Sequence, residues 1–445
     1  MLRQIKNTPV ADPLKISDIN SPDPFREGLE YNAPARGVWN IVHTGMLIPE
    51  AHQVYVCAQG CLRGVVLTAA EMNAMERMSW VSLREEDMWN GEMENRVVEG
   101  VAHILEQMEK KPPCVLVYLS CMHMFEGCDF TVILNELSEQ FPGTDFVNCY
   151  MIPTMRKSMS PDAMMKVSLY TPVKKLPVDN DLIGLIGCDR RTDPTSDLFT
   201  LIHAAGKRIW EINDAVSYNE YLQLGSASML ISYLPTSAAA GRQLSKKLGI
   251  EWHEYPLCYD EDEIMTCLRE LSHRLGLKEA DSEKIIEQNR ERAADEIKLA
   301  LDTVGDIPVA IDFTAVPRPF GLALFLAENG FNVKRIYADH ITKPDLKAFE
   351  ILKEKYPDTL VYPTVSPEMR FAADKNENCD YLCIGQKAAY FTGSRRFVNI
   401  ADGGGMYGFD GIARLARQIS DAYLRPKDIK LTISLKGIGC ESCLI

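Results

Sequence analysis

Nowhere in the chain is there a run of about 18 apolar residues, the length a membrane-spanning helix needs, and the first thirty residues contain no apolar core of signal-peptide length. A cytoplasmic protein with no membrane partner is the expectation. Positive charge is also short: 62 Asp and Glu outnumber 48 Lys and Arg, for a formal charge of -14. That balance argues against a polyanionic nucleic-acid partner. The phosphate loop G-x-x-x-x-G-K-[ST] is missing, so ATP hydrolysis by that device is excluded. There is no low-complexity tract and no short-period repeat. The thirteen cysteines are odd in number and belong to a reducing compartment, which excludes a disulfide framework and leaves metal binding, redox use or plain burial.

What is present reads as an α/β protein. The 445 residues are about three times a usual domain, and the 46% apolar and 25% charged composition is that of an ordinary folded chain. Apolar runs such as "CVLVYLS" (114–120), "DFVNCYM" (145–151), "DLIGLIG" (181–187), "SMLISYL" (228–234), "IPVAIDF" (307–313) and "DYLCIG" (380–385) are continuous rather than alternating. Continuous runs suit parallel strands covered on both faces. Between them lie amphipathic helical stretches, giving βαβ order. Three doubly wound Rossmann-like domains are expected, at 35–178, 179–304 and 305–445, behind an extension at 1–34.

Four cysteines fall at the ends of two of these strands. "VCAQGCLRGVV" carries Cys57 and Cys61, and "VYLSCMHMFEGC" carries Cys121 and Cys128. Ligands of doubly wound sheets gather outside the carboxyl ends of the strands, and thiolates there are the usual holders of iron–sulfur clusters. The spacings C-x3-C and C-x6-C match no standard ferredoxin or zinc-finger pattern, so buried free cysteine stands beside the ligand reading.

Two further motifs need weighing. "ADGGGMYGFDG" spells G-x-G-x-x-G with Gly403, Gly405 and Gly408. A dinucleotide site would need a following strand with an acidic residue, and only "IKLTISL" remains before the terminus, so a tight cavity-lining turn is the better reading. The end "GIGCESCLI" holds Cys440 and Cys443 in C-x-x-C spacing, fit for a metal, a redox pair or no role.

Taken in order, several segments resemble one family. "AHQVYVCAQGCLRGV", "LREEDMWNGEMENRVVEGVAHILEQM" and "PPCVLVYLSCMHMFEGCDF" are similar to the first domain of the nitrogenase component 1 superfamily. "DLIGLIGCD", "SMLISYLPTSAAAGRQLSKKLGIEWHEYP", "DYLCIGQKAAYF" and "MYGFDGIARLARQI" resemble its second and third domains. That superfamily includes molybdenum–iron protein subunits, protochlorophyllide and chlorophyllide reductases, a nickel-tetrapyrrole reductase and cofactor-assembly scaffolds.

The resemblance implies an oxidoreductase subunit with an iron–sulfur cluster, [4Fe–4S] or larger, at an interface with a second component 1 chain, as a homodimer or heterotetramer. Cys57 and Cys121 match two of the family's three cluster cysteines. The third would lie upstream, where this chain has none, so Cys61 or Cys128 is left to supply it. His52, five residues before Cys57, is read as packed rather than ligating. Electrons would come from a separate ATP-dependent iron–sulfur reductase. The family's active-site cluster is anchored by a cysteine and a histidine; here Ser232 or Tyr233 and the histidine-free "RRFVNIADGGG" stand instead. An organic or other metal cofactor in a central cavity is then expected, with Arg190, Arg191, Lys387, Arg395 and Arg396 as candidate partners for its carboxylates. Dinitrogen is not the expected substrate. A scaffold for cofactor assembly and a binding protein with a vacant cluster site are the competing readings.

Overall fold

A computed structural model describes residues 11–25, 28–35, 41–152, 159–372 and 380–434. Cys440 and Cys443 lie outside the described residues. The described chain is mixed α/β and contains three open, mostly parallel sheets of Rossmann type. Backbone contacts gather it into two compact units, Val38–Arg191 with Lys207–Tyr255, and Met1–Gly37 with Thr192–Gly206 and Pro256–Ile445.

The first of these units holds two four-stranded parallel sheets. One runs β3-β2-β4-β5, built from β2 (His52–Ala58), β3 (Met78–Leu83), β4 (Cys114–Ser120) and β5 (Asp145–Met151). The other repeats the order as β7-β6-β8-β9, from β6 (Asp179–Leu185), β7 (Arg208–Glu211), β8 (Ala227–Ser232) and β9 (Trp252–Glu254). The second unit holds a six-stranded sheet in the order β1-β12-β11-β10-β13-β14, namely β1 (Leu14–Lys15), β10 (Val309–Asp312), β11 (Val333–Tyr337), β12 (Leu360–Tyr362), β13 (Leu382–Ile384) and β14 (Arg396–Val398). Only β1 pairs antiparallel.

The continuous apolar runs became strands, central ones except for "DFVNCYM", which is the edge strand β5, and fully buried along β4 and β10. The strands that the apolar pattern did not show are edges. β3 alternates buried and exposed residues because only one face is covered, and β9 and β14 are three residues long. "IKLTISL" departs from its strand-like composition: Ile429–Ser434 is a helix.

Local signals account for the helix limits. Asp129, Ser160, Ser196 and Asp260 accept hydrogen bonds from first-turn N–H groups, and Gly249 ends the helix Ala238–Leu248 at φ 67°. The charged stretch at 280–305 is a single helix, Glu279–Val304.

On β2 and β4 the alternation of side chains feeds two cores. Tyr55, Cys57, Leu116 and Tyr118 face one that continues into the β6–β9 sheet; Val54, Val56, Val115, Val117 and Leu119 face the other. The rings of Tyr55 and Tyr118 stack at 4.2 Å and 10°. Their hydroxyls donate to Gln53 Oε1 at 2.7 Å and to Ile41 O at 2.9 Å, and Gln53 Nε2 donates to Val42 O at 3.0 Å. This network binds the helix Ile41–Met46 to the sheet so closely that a Cβ on Gly45 would collide with the Tyr118 hydroxyl and the Gln53 amide.

Gly45→Ala should therefore cost about 1–3 kcal/mol, the usual penalty of overpacking. Gly60→Ala, where a Cβ meets open space, should change little. Chemical denaturation of the two variants checks the contrast.

Candidate metal and ligand sites

An open parallel sheet separates its loops where the strand order reverses, and there a crevice forms at the carboxyl ends. In the β3-β2-β4-β5 sheet that point lies between β2 and β4. Their register pairs Val56 with Leu119. Cys57, one residue on, and Cys121, directly after β4, therefore come to adjacent strand ends, with strands about 4.8 Å apart.

The thiols are not on free loops, as their spacing suggested. Cys57 is the penultimate residue of β2 and is fully buried. Cys61 closes the 3-10 turn Gln59–Cys61 and precedes the helix Leu62–Glu71; it is exposed. Cys121 opens the helix Cys121–Glu126 and is partly buried. Burial, and after it the nearby Cys61 and Cys121, push the Cys57 thiol up to about 12. Cys61 and Cys121 thus each lie within electrostatic reach of Cys57.

Cys128 belongs elsewhere. It packs against the core on the other face of the sheet, the Val54 and Val56 side. Burial first, then Glu94 and Glu126, push its thiol up to about 11. Of the two candidates for the missing third ligand, Cys61 lies near Cys57, whereas Cys128 packs on the other face.

His123, which the motif reading passed over, caps the helix that Cys121 opens. Its Nδ1 accepts from the Ser120 N–H at 3.2 Å. Burial lowers its pKa to about 4, so the ring is neutral with its proton on Nε2, an atom that finds no acceptor among the described residues. The Ser at the N-cap with His three residues on was the visible signal. His52 is buried, with Nε2 2.9 Å from Ser79 Oγ, and burial holds it down at about 4. It is a packed residue, as read from the sequence.

Among the described residues no three His, Cys, Asp or Glu side chains converge closely enough to hold one metal ion. A cluster several ångströms across makes a different demand, namely soft thiolates spaced around its faces. Cys57, Cys61 and Cys121 meet that demand in donor type and in their common end of the sheet.

The equivalent crevice of the second sheet, between β6 and β8, is filled by charge. Lys166, from the helix Pro161–Leu169, is 1% exposed. Its Nζ donates to Thr236 Oγ1 at 2.6 Å and lies 3.0 Å from Asp162 and 3.8 Å from Asp189. Thr44 Oγ1 donates to Asp189 at 3.3 Å. Burial alone would raise Asp162, but Lys166 holds it below the usual carboxylate range. Arg190 is buried in the loop after β6, whereas Arg191 is exposed and paired with Asp214 at 2.5 Å. Ser232 ends β8 and accepts from Trp252 Nε1 at 3.0 Å, and Tyr233 is buried.

In the third sheet the arginine pair is at the wrong end for a ligand. Arg396 starts β14, at the amino side, and pairs with Asp380 beneath Tyr423; Arg395 beside it is exposed. Lys387 follows β13 at the carboxyl side, buried, with Nζ 5.5 Å from the Phe313 ring centre. The glycine loop is committed internally. Asp402, Gly403 and Gly404 donate their N–H groups to Thr314 O, Ala315 O and Ala401 O. The first turn of Gly408–Leu424, where a pyrophosphate would lie, gives the Asp410 N–H to Asp197 Oδ2 at 2.9 Å. This supports the turn reading over a dinucleotide site.

Open, mostly parallel sheets with crevices at their carboxyl ends, and thiols at one of them, define a doubly wound α/β protein. Residues 42–424 match the family described as nitrogenase component 1 type oxidoreductase, and the chain belongs to that family. Two solved structures share the fold. "Nitrogenase Cp1 at pH 6.5" superposes with a TM-score of 0.65 at 14% identity, covering 92% of this chain and 95% of that one. "Nitrogenase Cp1 at pH 5" gives 0.59 at 11% identity, covering 92% of each. No curated protein matches at comparable significance.

Asp197 yields a pH prediction. Burial, opposed by the hydrogen bonds from Asp410 N–H and Asn289, raises its pKa from 3.8 to about 6. The folded chain then binds a proton between those values that the unfolded chain does not, so stability should grow as pH falls through 6 and level off below about 4. The gain is on the order of 3 kcal/mol. Asp197→Asn should remove this part of the rise in thermal melts taken across that range.

Proposed function

We propose that the chain is a component 1-type oxidoreductase subunit that accepts electrons from an ATP-dependent iron–sulfur reductase. It passes them, through an iron–sulfur cluster held by Cys57, Cys61 and Cys121, to a substrate other than dinitrogen. The observation that carries this reading is the meeting of these thiols at the reversal point of one sheet, in a chain of this family. Bound there, a [4Fe–4S] or larger cluster would supply one-electron transfer. The protein's part is to hold and shield. Cys57 anchors from the dry interior, with the Tyr55–Tyr118 stack behind it excluding water, while Cys61 and Cys121 ligate from helix starts.

Three thiolates leave such a cluster short of ligands and open on one side. The elements at this end of the sheet also expose large apolar side chains: Trp89 at 79%, Phe125 at 73% and Leu67 at 51%. A contiguous apolar surface built from such side chains would mark an interface. It supports a second component 1 chain, in a homodimer or heterotetramer, covering the cluster. Ser232 and Tyr233 offer hard oxygen where a molybdenum-type cluster would want thiolate, and no histidine stands between 395 and 405. Arg190 in one unit and Lys387 in the other, each buried at a carboxyl end of its own sheet, are separate candidates to meet a carboxylate of an organic ligand. A cytoplasmic location accords with the absence, among the described residues, of any helix long and apolar enough to cross a membrane.

Anaerobically produced protein should be brown, contain iron and acid-labile sulfide, and elute as at least a dimer. Cys57→Ser and Cys121→Ser should each lose most of the iron, and Cys128→Ser should keep it; full iron in both of the first two variants would refute the assignment.

With a competent reductase, ATP and isolated molybdenum-type cofactor, the protein should form neither ammonia from dinitrogen nor ethylene from acetylene. Sustained turnover of either gas would show that other residues supply the anchors.

A further inference from the structure

One face of the six-stranded sheet carries an arginine where an apolar residue is the rule. Arg335 lies midway along β11, level with Leu360 of β12 and with Ala310 of β10, and Ala310 is level in turn with Cys383 of β13. Residues paired across parallel strands share a face. Ala310 offers that row a single methyl, so the guanidinium can lean across β10 toward the β13 side. Its central carbon is 4.5 Å from the centre of the Tyr381 ring and 5.2 Å from that of Tyr362. Tyr362 ends β12 and Tyr381 immediately precedes β13, strands on opposite sides of β11 in the sheet order, so the two rings flank the guanidinium.

The positive charge has no counter-ion here. Among the described residues Arg335 forms no ion pair, its hydrogen bond from Nη1 to the Tyr337 hydroxyl is long at 3.4 Å, and Nε is buried without an acceptor. Carboxylates at neighbouring positions are engaged elsewhere. Asp380, beside Tyr381, pairs with Arg396, and Asp312, level with Tyr337, accepts from Thr314 N–H and Ala388 N–H at 2.9 and 2.8 Å. Taking a guanidinium partly out of water costs free energy that contact with aromatic faces offsets only in part. Arg335, Tyr362 and Tyr381 are half-buried rather than sealed, so solvent reaches the group. Burial raises the Tyr337 pKa, so its hydroxyl keeps a proton to donate.

We propose that Arg335, flanked by the Tyr362 and Tyr381 rings, binds a planar organic carboxylate. The rings leave the edge of the guanidinium for a ligand. A carboxylate coplanar with that edge accepts two parallel N–H bonds, a geometry an arginine fork is shaped for. A flat group attached to the carboxylate then lies beside the tyrosine rings and gains stacking. A tetrahedral phosphate reaches the same donors without that gain. All of these residues belong to one compact unit, and the site depends on neither the thiols nor the electron-transfer reading.

The test is saturation-transfer NMR on the full-length protein with benzoate as the probe. Benzoate should bind, and uncharged benzamide should bind at least about tenfold more weakly. Arg335→Met keeps a chain packed between the rings but removes the fork; it should abolish binding and melt no lower than the parent in chloride buffer. Arg335→Lys keeps the charge without the bidentate edge and should weaken binding about tenfold. Arg425→Met, at an arginine 80% exposed and paired with Asp421, should leave binding intact. The proposal is overturned if benzoate does not bind, if its binding survives Arg335→Met, or if inorganic phosphate displaces it at equal concentration. It is overturned equally if benzoate binds only after Asp374→Asn/Glu377→Gln, residues outside the described ones, since the anion would then belong to this chain.

Discussion

The pairing of β2 with β4 is the constraint from which the rest of the thiol site follows. Parallel strands side by side bring their carboxyl ends level, and the register that sets Val56 opposite Leu119 brings Cys57 level with the start of the next helix. The Tyr55–Tyr118 stack fixes that register from within, since a one-residue slip of β2 would turn Tyr55 and Cys57 to the opposite face and leave Tyr118 without its partner ring. Gly45 enters the same account, because only a residue without Cβ lets the neighbouring helix reach the Tyr118 hydroxyl.

The fold was legible wherever burial was two-sided. "CVLVYLS" and "IPVAIDF" announce themselves because a central parallel strand has no polar face to show, whereas β3 and β14 escape because an edge strand shows one or is too short to form a run. The thiol positions were legible as well, but their division was not. That Cys128 faces the other core is a matter of which side of the sheet the turn after Cys121–Glu126 leads to, and spacing alone does not encode it. The family resemblance put the arginines at 395 and 396 in a loop beside a ligand cavity; the chain places them before a strand rather than after it, which is the full length of the strand away. Lys166 left no trace in the sequence, being one lysine on an amphipathic helix until Asp189 and Thr236 close over it.

A second theme runs through the six-stranded sheet's unit. Three helix starts each receive a carboxylate from the same chain: Asp345 accepts from Phe320 N–H and Gly321 N–H, Asp312 from Ala388 N–H, and Asp197 from Asp410 N–H. Burial raises all three. Positions that in nucleotide-binding relatives of this architecture would receive phosphate are here supplied internally, which explains why a literal G-x-G-x-x-G can occur without the chemistry it usually signals.

The two four-stranded sheets with the same strand order carry a final implication. They offer two equivalent addresses, and the chain has furnished them with opposite chemical hardness: sulfur at the β2–β4 crevice, ammonium and carboxylate at the β6–β8 crevice. A thiophilic metal would meet one polarisable crevice and one occupied by ion pairs, and the preference of soft metals for sulfur would separate the two.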